Sequence, residues 1–374
     1  MKFIVNSEYL LKQLTLLNGV ITTNPVVPIL ENFLFEVDQN LLLVTASDIQ
    51  TSIKAEIEVN SNEKGKIAVP ARLVLETLKY LPDQPVTFTL DESTYSMEIS
   101  SDNGRYKLSC ENATDFPKTP LISNQQSTSI SSDLLSRAIS YTIFATSSDE
   151  LRPSMTGVYI NLGSESTTFV STDGHRLVRY SRTDIKSNLQ SSIIIPRKAL
   201  NLLRSTLPSQ NTDVSLDFNA SNAIFSFSNI QMICRLIDEK FPDYQNVIPK
   251  ESKIVMQISR DAMLTSLKRI SIYSNKTTNQ IRVNIVGSDL KISAEDLDFN
   301  NEANEHLSCE HTGEDIEIGF NGRYFLEFLN NIDGDFVEVK MNSPSTAAVI
   351  IPKEKIKNED VLMLMTPVML SQYV

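Results

Sequence analysis

The sequence is poor in cysteine and in positive charge, and it holds no long apolar run. Its three cysteines, Cys110, Cys234 and Cys309, lie far apart and are odd in number. They offer neither a disulfide framework nor a metal spacing, which fits a reducing compartment. No run approaches the length of a membrane span, and no basic-then-apolar leader precedes the first strand-like residues, MKFIV. A cytoplasmic chain with no membrane partner is expected. There is no Gly-rich phosphate loop, no G-x-S-x-G elbow and no H-E-x-x-H. Asp173 and His175 suit acid–base chemistry, but no nucleophile or metal set joins them, so no enzyme is expected. His306 and His311, on either side of Cys309, would point to opposite faces in a strand or in a helix. No metal and no cofactor are expected. Lys and Arg number 34 against 46 Asp and Glu, a net charge of −12. Spread evenly, that charge would repel a polyanion.

What the sequence does hold is a repeat. A chain of 374 residues is long enough for two or three domains. VPARLVLETLKYLP occupies Val69 to Pro82, IPRKALNLLRSTLP occupies Ile195 to Pro208, and FNGRYFLEFLNNID begins at Phe320. The second residues, Pro70, Pro196 and Asn321, are spaced by 126 and 125. DFP ending at Pro117 and KFP ending at Pro242 keep a step of 125, as do TASDIQT around Asp48 and STDGHRL around Asp173. An earlier helix opens each unit, from Ser7, Ser131 and Ser259, with Ser and an acid in the first turn as a start signal. In the second of the later helices, Pro196 suits the first position. Leu200, Leu203 and Leu207 share a face, and Pro208 ends the run.

Between helices the apolar period becomes two. Val86, Phe88 and Leu90 alternate with polar residues, as do Tyr95, Met97 and Ile99, with Asp91–Thr94 as the turn. Val214, Leu216 and Phe218 repeat the pattern, and so do Val337, Val339 and Met341. The expected fold is α+β: three repeated domains, 1–124, 125–252 and 253–374, each with two helices packed on antiparallel sheet. The boundaries near Ile122–Thr128 and Lys250–Lys253 are polar.

The charge is not evenly spread. Pro196–Leu207 carries Arg197, Lys198 and Arg204 with no acid, and the six expected helices together carry +6. That leaves −18 for the rest of a chain whose total is −12. If the helices share a surface, that surface is basic on an acidic body and suits phosphates without base readout. Helix location and charge select Lys12, Arg72, Lys79, Arg137, Arg197, Lys198, Arg204, Lys268 and Arg269. Solvation of exposed helix faces is the ordinary alternative.

The threefold repeat, the opening MKFIV, the VPAR and IIPRKAL helices, STDGHRL, KFPDYQNVIP and the late IGFN resemble the bacterial DNA polymerase III beta subunit family, the sliding clamps. The resemblance runs from Met1 to about Leu370. It implies a head-to-tail homodimer with six domains in a closed ring, helices around the hole and sheets outside. Such a ring encircles double-stranded DNA and tethers the replicative polymerase, conferring processivity. The partners implied are the DNA polymerase III alpha subunit, the clamp loader and other proteins with clamp-binding peptide motifs.

The resemblance also implies a peptide pocket between the second and third domains. Matching positions are Arg152 and Met155, then Thr172, Gly174, His175, Arg176 and Leu177. Pro242, Asn246 and Val247 follow, with Asn321, Tyr324 and Thr346. Leu364, Met365, Thr366, Pro367, Val368 and Met369 complete the set. Leu177, Val247, Met365 and Val368 would give apolar depth, and His175 and Arg176 would fix polar groups of the peptide. At the subunit junction Tyr106 and Leu108 would meet Ile272 and Tyr273; core packing is the alternative for these four.

Some positions depart from the family pattern. Asn24 stands where a basic residue is frequent, Pro153 and Ser154 replace aromatics, Asn246 replaces a frequent arginine, and Ser371–Val374 extend the usual end. A repeat scaffold that binds only proteins is the rival reading; it would show no retention on circular DNA.

Overall fold

The computed structural model describes residues 1–21, 27–120, 123 and 125–370. The expectations placed on Asn24, on the boundary at Asn124 and on Ser371–Val374 lie outside the described residues. The first repeat runs β1 (Lys2–Asn6), α1 (Ser7–Asn18), β2 (Asn32–Asp38), β3 (Leu41–Ser47), β4 (Thr51–Glu58), β5 (Lys64–Pro70), α2 (Ala71–Lys79), β6 (Pro85–Asp91), β7 (Ser96–Ser100) and β8 (Arg105–Ser109). The second repeats that order as β9 (Gln126–Ser131), α3 (Ser132–Thr142), β10 (Gly157–Leu162), β11 (Thr167–Thr172), β12 (Arg176–Arg182), β13 (Ser191–Pro196), α4 (Arg197–Thr206), β14 (Asp213–Phe218), β15 (Asn222–Phe227) and β16 (Ile230–Arg235). The third is β17 (Ile254–Ser259), α5 (Arg260–Ile270), β18 (Gln280–Val286), β19 (Asp289–Asp296), β20 (Asn301–Ser308), an inserted β21 (Glu310–Thr312), β22 (Ile316–Asn321), α6 (Gly322–Asn330), β23 (Phe336–Met341), β24 (Ala348–Pro352) and β25 (Glu359–Met365).

Strand pairing crosses from one repeat to the next. β4 pairs antiparallel with β16 and makes an eight-stranded sheet, β5-β2-β3-β4-β16-β15-β14-β9. β12 pairs with β25 and makes a nine-stranded sheet, β13-β10-β11-β12-β25-β24-β23-β17-β21. The first takes four strands from each of two successive repeats; the second takes four from the second repeat and five, including the inserted β21, from the third. Two four-stranded halves are left over, β1-β6-β7-β8 and β20-β19-β18-β22. The chain accordingly forms two compact units, Met1–Ser136 with Lys198–Leu236, and Arg137–Arg197 with Ile237–Val374. These cut through the middle repeat, because its strands are shared between two sheets.

The alternating residues behave as their period requires. Val86, Phe88, Leu90, Met97, Ile99, Val214, Leu216, Phe218, Val337, Val339 and Met341 are all buried. Tyr95 does not join them. It closes the β6–β7 turn with φ +47, and Asp91 Oδ1 takes the Ser93 amide at 3.0 Å. The turn therefore keeps its expected length but falls one residue later, on Glu92–Tyr95. In the first unit, Phe3 stacks on Phe88 with centroids 4.7 Å apart, and the α1 residues Leu10, Leu14 and Leu17 are all fully buried.

Helix starts differ in detail from the sequence expectation. Ser7 is not the cap of α1. Asn6 is, its side chain accepting the Tyr9 amide at 2.8 Å, while Ser7 is buried and its hydroxyl donates to Pro82 O. Ser132 is tied in the same way, its hydroxyl accepting from Thr212 N at 3.0 Å. Ser259 does cap α5, accepting from Ala262 N. Pro196 ends β13, opposite Gly157, and α4 begins one residue later. Its neighbour Arg197 donates to Thr156 O, so the missing N–H of Pro196 costs no ladder bond, and its fixed φ suits the approach to the helix. Leu200 and Leu203 are fully buried, whereas Leu207 lies beyond the helix end and is half-buried.

Candidate partner-binding and nucleic-acid interfaces

In the second unit, β11 turns into β12 through STDGHRL. Asp173 Oδ1 accepts from His175 N at 2.9 Å and Arg176 N at 3.0 Å, and Gly174 takes φ +91. A Cβ on Gly174 would also stand 2.9 Å from Arg152 Nη1. The matching turn of the first repeat has the same bonds, Asp48 Oδ1 accepting from Gln50 N and Thr51 N, with Ile49 at φ +77. The aspartates that mark the repeat are thus turn-builders.

Arg176 requires a correction. It is 7% exposed, its Nε donates to Asp173 Oδ2 at 2.9 Å, one Nη to Glu327 and the other to Phe144 O at 2.8 Å. The guanidinium also lies 4.4 Å from the Tyr324 ring centroid. Three of its five N–H groups bond inside the protein and the side chain is buried, so it positions the turn and Tyr324 rather than holding a peptide's polar groups. Asn321 is committed too: its carbonyl oxygen caps α6 through Arg323 N and Tyr324 N, and its amide donates to Thr278 O. Thr172 is buried with its hydroxyl on Arg176 O.

Apolar depth also differs from expectation. Leu177 and Leu364 are sealed in a cluster with Val170, Ile194, Phe241 and Val349, and Met365 is fully buried. Val247 and Met369 are exposed, at 54% and 82%, while Met155, Pro242, Pro367 and Val368 are half-buried. His175 and Thr346 are exposed, Arg152 is exposed and paired with Asp149 at 2.9 Å, and Asn246 is exposed and donates to Asp243. Pro153, Ser154 and Met155 form a short 3-10 turn.

Two bridges hold the tail. Thr366 N and Oγ1 both donate to His175 O at 2.9 Å, and Val368 N donates to Gly319 O at 2.8 Å. A Cβ on Gly319 would overlap Val368 O. Gly319 belongs to the IGFN stretch, whose local sequence carries no sign of this tertiary contact. Gly319→Ala is expected to dislodge Val368 and weaken binding of a clamp-binding peptide about tenfold, with little change in thermal stability. Fluorescence anisotropy and a melting curve check it; unchanged affinity would show that the tail does not shape the pocket.

Among the basic residues, Lys12, Arg72, Lys79, Arg197, Lys198, Arg204, Lys268 and Arg269 are exposed. Arg72 pairs with Glu76, Lys198 with the nearly buried Asp48, and Arg269 holds Glu305 with two 2.6 Å bonds. Arg137 is the correction in this set. Its Nε and one Nη bond Glu359 at 2.7 and 2.8 Å, and the same Nη reaches Asp333 at 2.7 Å. Two carboxylates neutralise it, so it drops out of the DNA-facing set. The Glu359 side chain is 3% exposed and also accepts from Tyr180 and Arg182, each at 2.8 Å. Burial alone would raise the Glu359 carboxyl, but the donors from Arg137, Tyr180 and Arg182 outweigh it and hold the pKa below the ordinary value. Burial pushes the Tyr141 and Tyr180 phenols up. An isolated glutamate in a sequence carries no sign of this.

Of the residues expected at a subunit junction, Tyr106 and Leu108 lie on the edge strand β8, and Ile272 and Tyr273 lie in the short 3-10 turn Ser271–Tyr273 after α5. Tyr106, Ile272 and Tyr273 are exposed, at 38%, 65% and 43%. Leu108 is 2% exposed and belongs to the core of its own half-sheet, which corrects its assignment to the junction surface. Leu297 and Phe299, leading into β20, are 70% and 73% exposed, and the sequence reading did not single them out. Cys110 N donates to Tyr95 O. By antiparallel alternation the amides and carbonyls of Arg105, Lys107 and Ser109 therefore point away from β7, off the free edge. Cys309 N on Ser288 O fixes the same alternation in β20, so Glu302, Asn304 and His306 point off its free edge. β8 carries Arg105 and Lys107 and no acid; β20 carries Glu302 and Glu305 and no Lys or Arg.

The remaining ionisable side chains do not assemble into chemistry. His306 bonds Asp289 at 2.9 Å, while His311 lies on β21, in a different sheet. No group of three His, Cys, Asp or Glu among the described residues could hold a metal, and no described helix is long and apolar enough to cross a membrane.

Three α+β repeats that share sheets across their boundaries, with a half-sheet open at each end of the series, define a DNA clamp fold. Three family models match in succession: the DNA polymerase III beta subunit N-terminal domain over residues 1–120, its central domain over 129–243 and its C-terminal domain over 245–366. The beta sliding clamp of Vibrio cholerae is 29% identical over 371 residues, covering 99% of this chain and 100% of that protein. That of Proteus mirabilis is 30% identical over 345 residues, covering 91% and 92%. The crystal structure of the Pseudomonas aeruginosa DNA polymerase III beta subunit superposes with a TM-score of 0.94 at 28% identity, covering 99% of this chain and 100% of that one. The chain belongs to the DNA polymerase III beta subunit family, whose members are sliding clamps: non-catalytic processivity factors that bind DNA, polymerase and clamp-binding proteins.

Proposed function

We propose that the chain is a replicative processivity clamp: a cytoplasmic head-to-tail homodimer of three-domain subunits, divided at 1–124, 125–252 and 253–374, that encloses duplex DNA. Its peptide pocket receives the DNA polymerase III alpha subunit, the clamp loader and other motif-bearing proteins. The observation that carries this reading is the pair of half-sheets. β4 pairs with β16 and β12 with β25, so the edge equivalent to β4 and β12 in the third repeat is β20. The edge equivalent to β16 and β25 in the first repeat is β8. A second copy supplies each edge with its missing half, and head-to-tail pairing of two copies closes a ring.

The register follows from the same equivalence. Ile53 lies opposite Met232, and Val178 opposite Met363. The corresponding positions are Ala303 in one copy and Tyr106 in the other. Lys107 then faces Glu302, both with outward amides, and the basic edge meets the acidic one. Tyr106 is exposed where Met232 and Met363 are fully buried, as expected of a residue whose cover is the second copy. The pocket is read from Met155, His175, Tyr324, Val247 and Val368, with Arg152, Asn246 and Thr346 at exposed positions.

The DNA-contacting set is Lys12, Arg72, Lys79, Arg197, Lys198, Arg204, Lys268 and Arg269, meeting phosphates without base readout. The variant that tests this set is Arg197→Gln with Arg204→Gln. Losing two phosphate contacts is expected to reduce the slope of log binding constant against log salt by about 2, with dimer and peptide binding unchanged. A dissociated dimer would instead place α4 on another surface. The function itself is tested on nicked circular DNA with the clamp loader. Retention on circles and loss on linearisation support encirclement; retention on both, or on neither, overturns it.

A further inference from the structure

The second unit has a second cleft, about 710 Å³, whose walls include Thr168, Arg179, Ser181, Tyr244, Lys250 and Asp360. It shares strands with the peptide pocket. Along β12, Leu177, Arg179 and Ser181 occupy successive same-face positions, with Leu364, Leu362 and Asp360 opposite them on β25. Two residues of strand advance about 7 Å, so the cleft begins one side chain beyond the sealed Leu177 cluster. The short turn Tyr244–Val247 is common to both places. Tyr244 walls the cleft and packs on Phe241 and Tyr159, each with centroids 6.3 Å away, while Val247 at the other end of the turn is exposed.

The cleft is polar, and its walls carry two cations, Arg179 and Lys250, beside two carboxylates, Glu359 and Asp360. The Thr168 and Ser181 hydroxyls bond each other at 2.8 Å. Arg179 pairs with Asp360 through one Nη, but its Nε–H is buried and has no acceptor among the described residues. A buried donor left unpaired is costly, and a carboxylate is the group that satisfies a guanidinium best. Lys250 is exposed at the rim and adds a second positive charge. Glu359 also borders the cleft, yet its oxygens are occupied by Arg137, Arg182 and Tyr180.

We propose that this cleft extends the peptide pocket and binds an acidic side chain that flanks the apolar clamp-binding motif of a partner protein, its carboxylate received by Arg179 and Lys250. The inference rests on the peptide-pocket reading above. The probe is the shortest peptide of the same organism's DNA polymerase III alpha subunit that the chain binds. It is used unextended, and with two aspartates or two lysines added at either end. Calorimetric titration of the whole dimer is expected to show about tenfold tighter binding for one aspartate-extended form. That gain is lost in Arg179→Gln. In Lys250→Glu it passes to the lysine-extended form, while the unextended peptide binds all three proteins alike. No gain from aspartate in the wild type, or a gain that survives both substitutions, overturns the proposal. Binding of free N-acetyl-aspartate as tight as the gain itself also overturns it, by showing a small-molecule site instead. Failure of every unextended peptide is a different result: it removes the pocket reading, and the cleft proposal with it.

Discussion

Lys107→Pro is expected to yield a folded monomer that is lost from circular DNA. The amide of Lys107 points off the free edge of β8, so proline there removes no bond to β7. Edge positions whose N–H faces outward are where strands tolerate proline. In the paired state, however, Lys107 would exchange two backbone bonds with Glu302 of the second copy and set their opposite charges side by side. Proline deletes one bond, the ring of its side chain blocks close approach, and one charge disappears. Because a head-to-tail dimer has the junction twice, the damage is counted twice. Light scattering should report the monomer mass, circular dichroism an unchanged fold, and the circular-DNA assay loss of retention to background. A dimer that survives would place the subunit contact elsewhere than on β8. The complementary experiment introduces cysteines, Lys107→Cys with Glu302→Cys, and expects an intermolecular crosslink that traps the ring on circular DNA even after denaturation of the protein.

Glu359→Ala should destabilise the second unit by about 3 kcal/mol or more. The carboxylate receives Arg137 from α3 and Arg182 and Tyr180 from β12, and it sits at the start of β25. Its removal leaves two guanidinium groups with one carboxylate partner each, Asp333 and Asp184, and leaves the Tyr180 hydroxyl without its acceptor. Glu359→Gln keeps an acceptor and should cost less. Urea denaturation measures both, and equal stability of wild type and Glu359→Ala would show the network to be idle. The pH dependence has a definite sign. The folded pKa of Glu359 lies below the ordinary value of 4.5, so its contribution is present in full above that value. It is lost as the pH falls through the folded pKa. The wild type should therefore lose stability on acidification through this range faster than Glu359→Gln.

Six helices, the strand alternation and the threefold order were legible in the sequence, because each depends on local spacing. A buried face every 3.6 or every 2 residues leaves its period in the chain, and a repeat of about 125 residues leaves matching landmarks such as Asp48 and Asp173. Those aspartates were legible as positions but not as turn-builders, since an Asx turn and a solvated loop use the same residues. The helix capping was read one residue late at Ser7, where Asn6 and Ser7 are both plausible caps and only the bond to Pro82 decides.

What tertiary structure alone decided was which charges and apolar groups are spent. Arg137 and Arg176 look like the other helix and loop cations in sequence, yet carboxylates brought from far along the chain neutralise both. Leu108, Leu177 and Met365 read as surface apolar groups only until the sheets cover them. The sheets themselves made the deepest difference. Sequence determined that this chain is three copies of one α+β unit with a basic set of helices. It could not determine that hydrogen-bonded pairing runs between the copies, because backbone groups are the same at every residue and carry no trace of their partners. That pairing leaves β8 and β20 as two unmatched edges, one basic and one acidic.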